Sequence, residues 1–155
     1  MITKIRDGVF ETNSSSTHAI CIATNGKVAI PDGFTELIFK QGEFGWGYDT
    51  LNSIQEKASY LYTGLKYNSM DYELENIIEL LKSNNIDVVC NDSYDGYVDH
   101  GNELSDFLRD VSSDETLLIN YLFSDLSFIL TGNDNGDGIE SIDVGYEHVQ
   151  YYKGN

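Results

Sequence analysis

Apolar residues recur along this chain in two rhythms. Leu51, Ile54, Ala58, Leu61 and Leu65 return at helical spacing, with Thr50 placed to cap the helix they predict. Leu74, Ile77, Ile78 and Leu81 fall at i, i+3, i+4 and i+7 and predict a second helix, which Asn84-Asn85 stops. Leu104, Phe107, Leu108 and Val111 predict a third, with Asn102 as its cap. Ser112 and Glu115 have the spacing of a capping box for a fourth, running to Phe123. Shorter apolar runs predict strands at Ile2–Phe10, Ala19–Thr24, Lys27–Ile30, Glu36–Lys40, Asp87–Cys90, Ser127–Leu130, Ile139–Val144 and His148–Tyr152. Asn25-Gly26 between two such runs predicts a tight hairpin, and Pro31-Asp32-Gly33 a turn. Glu11 to His18 reads as a polar stretch that no core absorbs. Gln41–Tyr48, Asn91–Gly101 and Thr131–Gly138 read as loops or polar connections. The order strands, helices, strand, helices, strands predicts one α+β domain over residues 1–155. Its expected form is a mixed, mainly antiparallel sheet with about four helices packed on one face.

Composition agrees with a folded chain. The 155 residues are 41% hydrophobic and 12% aromatic, too apolar for disorder and enough for a real core. Charge changes the picture more. Nine bases against 26 acids give a net charge of −17, and the two halves share it unequally. Residues 1–77 hold 10 acids and 6 bases, residues 78–155 hold 16 acids and 3 bases. A nucleic-acid binder needs a basic footprint, so direct binding to DNA, RNA or an anionic membrane is not expected. No run approaches a membrane span, and the opening residues lack the apolar stretch of a signal peptide, so a cytoplasmic location is expected. Cys21 and Cys90 sit in apolar runs and read as two buried thiols.

Three polar patches carry candidate chemistry. Asn13, Ser14, Ser15, Ser16, Thr17 and His18 offer consecutive hydroxyls and backbone N–H groups of the kind that cradle an anion. Asp99 and His100 supply a carboxylate and a group that titrates near neutral pH. Asn133 and Asp134 stand in a glycine-rich segment whose Asn133, Asn135, Asp137 and Gly138 match the start of a calcium loop. That match fails where Val144 replaces the required Glu. No Walker motif, nucleophile elbow or zinc spacing is present, so no catalytic residue, cofactor or metal is assigned. The sequence leaves catalysis open and leans against it.

A fourth feature is the acidic stretch Asp87, Asp92, Asp95, Asp99, Glu103, Asp106, Asp110, Asp114, Glu115 and Asp125, which contains the single base Arg109 and is interleaved with Tyr94, Tyr97 and Tyr121. Charge speeds encounter with a basic cleft, and aromatics anchor the complex.

The segment Ile5-Arg6-Asp7-Gly8-Val9-Phe10-Glu11-Thr12-Asn13-Ser14-Ser15-Ser16-Thr17-His18 resembles the opening of a group of small bacteriophage and Gram-positive bacterial proteins with a Ser-rich N-terminal motif. The likeness extends more faintly to Val98-Asp99-His100 and to Ile129–Asp134. It implies a phage context and no particular reaction. It also raises the idea that the three polar patches converge on one site.

Three functions of different class follow, the last of them a virion or assembly component with no ligand. The first is a phage-encoded acidic interaction protein with a DNA-mimic-like surface. It binds and inhibits a basic host protein, such as a nuclease or CRISPR effector, in the manner of an anti-CRISPR or anti-restriction protein. Its partner surface would be Asp87, Asp92, Asp95, Glu103, Asp106, Asp110, Asp114, Glu115 and Asp125 with Tyr94 and Tyr97. The alternative is a protein that binds, sequesters or hydrolyses a phosphate or nucleotide. It would use Asn13 to His18 with Asp99, His100, Asn133 and Asp134. Nothing in the sequence sets the oligomeric state.

Overall fold

A computed structural model describes residues 16–45, 47–99, 101–133 and 148–153. The expected strands at Ile2–Phe10 and Ile139–Val144 lie outside them, as do Asn13, Ser14, Ser15, Trp46, His100 and Asp134. The fold is α+β. In chain order it comprises β1 (Ser16–Ala23), β2 (Glu36–Lys40), β3 (Glu43–Phe44), β4 (Asp49–Leu51), α1 (Ile54–Tyr67), α2 (Asp71–Ser83), β5 (Asp87–Asn91) and β6 (Tyr97–Val98). A 3-10 turn (Gly101–Leu104), α3 (Ser105–Ser113), α4 (Glu115–Phe123), β7 (Phe128–Asn133) and β8 (His148–Lys153) follow.

The main sheet is antiparallel in the order β4-β7-β1-β8. The side chains of β1 alternate across it. Ile20 and Ile22 enter a core shared with Leu61 and Leu65 of α1, Phe107 and Leu108 of α3, and Leu118 and Leu122 of α4. Ala19 and Cys21 take the opposite face with Phe128 and Leu130. Two short parallel pairs flank the main sheet, β2 with β5 and β3 with β6.

The helices form where their apolar stripes predict them, except that Leu51 falls in β4 and Leu104 in the 3-10 turn, and the caps differ. Ser53, not Thr50, begins α1: its hydroxyl accepts from Glu56 N–H, and Glu56 reaches back to the Ser53 N–H in a reciprocal box. Thr50 belongs to β4. Burial pushes the Glu56 carboxyl up, and the hydrogen bonds from Ser53 and Asn52 outweigh it, leaving a lowered pKa. Asp114, not Ser112, caps α4 by accepting from Leu117 N–H at 3.1 Å. Ser112 closes α3 instead, donating to Arg109 O. Asn102 lies in the 3-10 turn and caps nothing, since α3 starts without a side-chain cap. Asn84 and Asn85 end α2 as expected, Asn85 in the left-handed region at φ 63°.

The Asn25-Gly26 hairpin does not form. Both edges of β1 are already filled, by β7 and by β8, so Lys27–Ile30 has no edge to pair with. The segment is held by a side chain instead. Asn120 of α4, 1% exposed, donates to Ala23 O and Gly26 O and accepts from Val28 N–H at 2.8 Å. Buried Ser127 extends this clamp, accepting from Ala23 N–H and donating to Asn120 O. Beside it, Lys57 of α1 is 1% exposed and donates to Ser124 O and Ser127 O at 2.9 and 3.0 Å. A buried ammonium survives there because two carbonyls take its protons. Tyr121, the residue after Asn120 in α4, donates its O–H to Lys57 O.

The two thiols differ from expectation. Cys21 is buried and its thiol is pushed up to about 11 by desolvation. Cys90 is exposed, because it stands on β5, in a sheet only two strands wide.

Candidate functional site

From Ser16 onward the polar N-terminal stretch is strand. Ser16 and Thr17 are strand residues of β1, paired with Asn133 and Gly132, and His18 pairs with Thr131. The expected hydroxyl loop is therefore a strand from Ser16 onward. β7 likewise extends through Thr131–Asn133, which the sequence places in a loop. This register brings the first and third polar patches together across a ladder.

His18 brings in the second. Its side chain is fully buried, contrary to a polar stretch outside the core. Nε2 lies 2.8 Å from the Asp99 carbonyl oxygen and Nδ1 lies 3.0 Å from the Tyr60 hydroxyl. A carbonyl only accepts, so Nε2 carries a proton, and in the neutral ring the Tyr60 hydroxyl donates to Nδ1. Tyr60 is itself fully buried, its phenol pushed far up by desolvation, and Phe44 meets its ring edge-on. Thr131 Oγ1 donates to Gly47 O at 2.7 Å. Ser16, Thr17, His18, Asp99 and Asn133 thus lie along one seam. The seam is closed: both His18 nitrogens are engaged within the protein, and Asp99 contributes its backbone rather than its carboxylate to that contact. A shallow cleft of about 180 Å³ opens nearby, lined by Tyr48, Asp49, Thr50, Leu130 and Thr131. Small-molecule sites usually enclose some 300–1,000 Å³. No cluster of three or more candidate metal ligands occurs among the described residues.

The acids arrange differently. Asp87, Asp92, Asp95, Asp106, Asp110, Asp114 and Asp125 are exposed, and Asp99, Glu103 and Glu115 are half-buried. Several also hold the fold. Glu115 pairs with Lys27 at 2.9 Å and accepts from Asn84, and those contacts lower its pKa. Asp92 accepts from the Tyr62 hydroxyl, and Asp125 acts electrostatically on Lys57. Tyr94, 46% exposed, donates to Glu43, a carboxylate the acidic stretch does not include. Tyr97 is half-buried on β6.

One group stands out. Asp106, Asp110 and Asp114 follow each other at i, i+4 and i+8 along α3 and its C-cap, on one stripe of the helix. Arg109 reaches Asp106 only at 3.7 Å, with both side chains largely in solvent. Tyr151 of β8 donates to Asp110 at 2.7 Å. Its phenol is raised by desolvation first, then by that bond and by the charges of Asp110, Asp106 and Asp114. Tyr151 thus registers a negative field from all three carboxylates. The spacing of these acids is visible in the sequence, but the β8 tyrosine that faces them is not.

No helix among the described residues is long and apolar enough to cross a membrane. Comparison of the chain with protein-family models, with curated proteins and with solved structures gives no match.

Proposed function

We propose that this protein is a non-enzymatic, phage-type interaction protein. Its acidic surface occupies the basic groove of a host nucleic-acid-acting protein, a nuclease or CRISPR effector, and blocks it. The observation that carries the reading is the stripe Asp106-Asp110-Asp114, three carboxylates along α3 and its C-cap, with Arg109 paired only to Asp106 and at 3.7 Å. Like charges at i and i+4 weaken a helix, so Asp106 beside Asp110 costs α3 stability that a cationic partner would return, while Asp114 caps α4. The wider setting is a chain of charge −17 with its acids skewed to the second half.

The small-ligand reading draws on the meeting of His18, Asp99 and Thr131, but its imidazole is sealed and both its nitrogens are engaged. That geometry suits a structural polar seam better than an open phosphate site.

The test is inhibition of DNA cleavage by a panel of restriction endonucleases and CRISPR effectors in a salt series. The reading expects inhibition of at least one at about 50 mM salt, weakening steeply toward about 500 mM as exposed charges are screened. No inhibition anywhere in the panel at low salt refutes it. A melting-temperature rise with a nucleotide would favour the ligand reading instead.

A further inference from the structure

The parallel pair β2–β5 is open on one whole face. Its register sets Glu36, Ile38 and Lys40 beside Asp87, Val89 and Asn91, and alternation puts these six side chains on the face away from the core residues Leu37 and Phe39. All six are exposed, and the register partners Ile38 and Val89 are 42% and 45% accessible. Parallel strands are ordinarily covered on both faces, so an apolar pair at the centre of an open parallel face is out of keeping with a finished surface.

The edge of the pair is open as well. Asp87 N–H donates to Thr35 O at 2.8 Å, so the backbone groups of Asp87, Val89 and Asn91 turn toward β2 and those of Val88 and Cys90 turn outward. Among the described residues β5 has β2 as its one strand neighbour, and no backbone hydrogen bond engages Val88 or Cys90 from the outside. The far edge of β2 is different, since Gln55 Nε2 donates to Ile38 O at 3.2 Å. Natural edges are usually blunted by lysine, proline or a bulge, and β5 carries none of these.

Charge indicates what covers it. Glu36 and Asp87 are register partners on this face, two like charges side by side. Lys40 is the one cation among the six side chains of the face, and Asp95, exposed, lies four residues beyond the strand. A second copy of this chain is a poor occupant. Pairing β5 with itself would gather Asp87, Asp92 and Asp95 of two chains that each carry −17.

We propose that β5 is a strand-addition site. An extended segment of the basic partner pairs with the outward backbone of Val88 and Cys90, sets an apolar side chain on Ile38 and Val89, and places Lys or Arg beside Glu36 and Asp87. This rests on the acidic-surface reading above and gives it a docking mode, in which main-chain bonds supply affinity and alternate side chains supply specificity.

The test uses a short fluorescein-labelled peptide of alternating valine and lysine, and the same peptide N-methylated at its backbone amides, in fluorescence polarisation at about 50 mM salt. Methylation keeps charge and side chains but removes the donors a strand needs. On the protein side, Cys90→Pro removes one outward N–H without touching the β2 ladder, a place where an edge strand accepts proline. Circular dichroism checks that the variant folds. The expected result is binding of the plain peptide, weakened about tenfold or more by methylation and by Cys90→Pro, the effect of losing about 1.4 kcal/mol. Equal binding of both peptides to both proteins overturns strand addition while leaving the acidic surface as an electrostatic dock. Binding of neither peptide, together with no inhibition in the nuclease panel, removes both. A self-associated species that Cys90→Pro dissociates in sedimentation overturns the proposal in favour of a second copy.

Discussion

Lys57 should give the protein a stability profile that climbs through mildly alkaline pH. Burial lowers its pKa to about 8 from the ordinary 10.5, opposed by the Asp125 charge. The proton is therefore held less tightly in the folded state than in the unfolded one. Below pH 8 both states carry it and stability is flat. Between about 8 and 10.5 the unfolded chain binds more protons, so stability rises with pH. Integrating that difference to pH 9.5 gives about 2 kcal/mol from this one side chain. Above pH 10 the direction reverses. Tyr60, Tyr62, Tyr121 and Tyr151 all have raised pKa values, so the unfolded phenols lose protons first and stability falls. The perturbation is Lys57→Met, which keeps the volume and removes the titration. The assay is urea unfolding followed by circular dichroism from about pH 7 to 9.5, with the m-value checked for constancy. Wild type should gain about 2 kcal/mol relative to the variant over that window. Parallel profiles for the two proteins would refute the reasoning, and with it the view that Lys57 is a desolvated ammonium held by the Ser124 and Ser127 carbonyls.

Three further outcomes are expected. Asn120→Leu should cost about 3 kcal/mol in urea unfolding, because the groups that Ala23, Gly26 and Val28 present to Asn120 lose their partner; a loss below about 1 kcal/mol would contradict the clamp. Gly96→Ala should cost about 3 kcal/mol or prevent folding, since a Cβ there collides with the backbone of Gly42, whose carbonyl accepts from Tyr97 N–H; a wild-type melting temperature would contradict that close approach. Tyr60→Phe should cost about 1–3 kcal/mol by leaving His18 Nδ1 without its donor inside the core, and an unchanged stability would show the seam to be less dry than its burial implies.

The helices were legible because an apolar stripe is a local signal: Leu74, Ile77, Ile78 and Leu81 read the same way in the sequence and in α2. Glu36–Lys40 was legible as a short apolar run, but the run Leu37-Ile38-Phe39 did not show that Ile38 faces outward, since that depends on the pairing with β5. The hairpin at Asn25-Gly26 failed because turn chemistry is local whereas edge availability is not. β7 and β8 come from beyond residue 127, and they take both sides of β1. His18 was misplaced by the same kind of non-local cause. A histidine enters a core when a carbonyl and a hydroxyl wait there, and Asp99 and Tyr60 supply them from 81 and 42 residues away. The caps failed more narrowly. Thr50 and Ser53, or Ser112 and Asp114, are all residues that cap helices, and the choice falls to where the preceding strand or helix ends. As for the candidate site, the acids were countable in the sequence, but their duties were not. Nothing local distinguishes Glu115, tied to Lys27 and Asn84, from Asp87, which stands open beside Glu36.

The central claim, that the carboxylates steer this protein to a cationic cleft, is tested most directly by the association rate with an inhibited nuclease. The comparison is wild type against a variant carrying Asp87→Asn, Asp95→Asn, Asp106→Asn and Asp110→Asn, which removes charge and leaves amide hydrogen bonding in place. Steering predicts an association rate at least about tenfold lower for the variant at about 50 mM salt, and a shallower salt dependence, with circular dichroism unchanged. Equal rates for the two proteins across the salt series would contradict it.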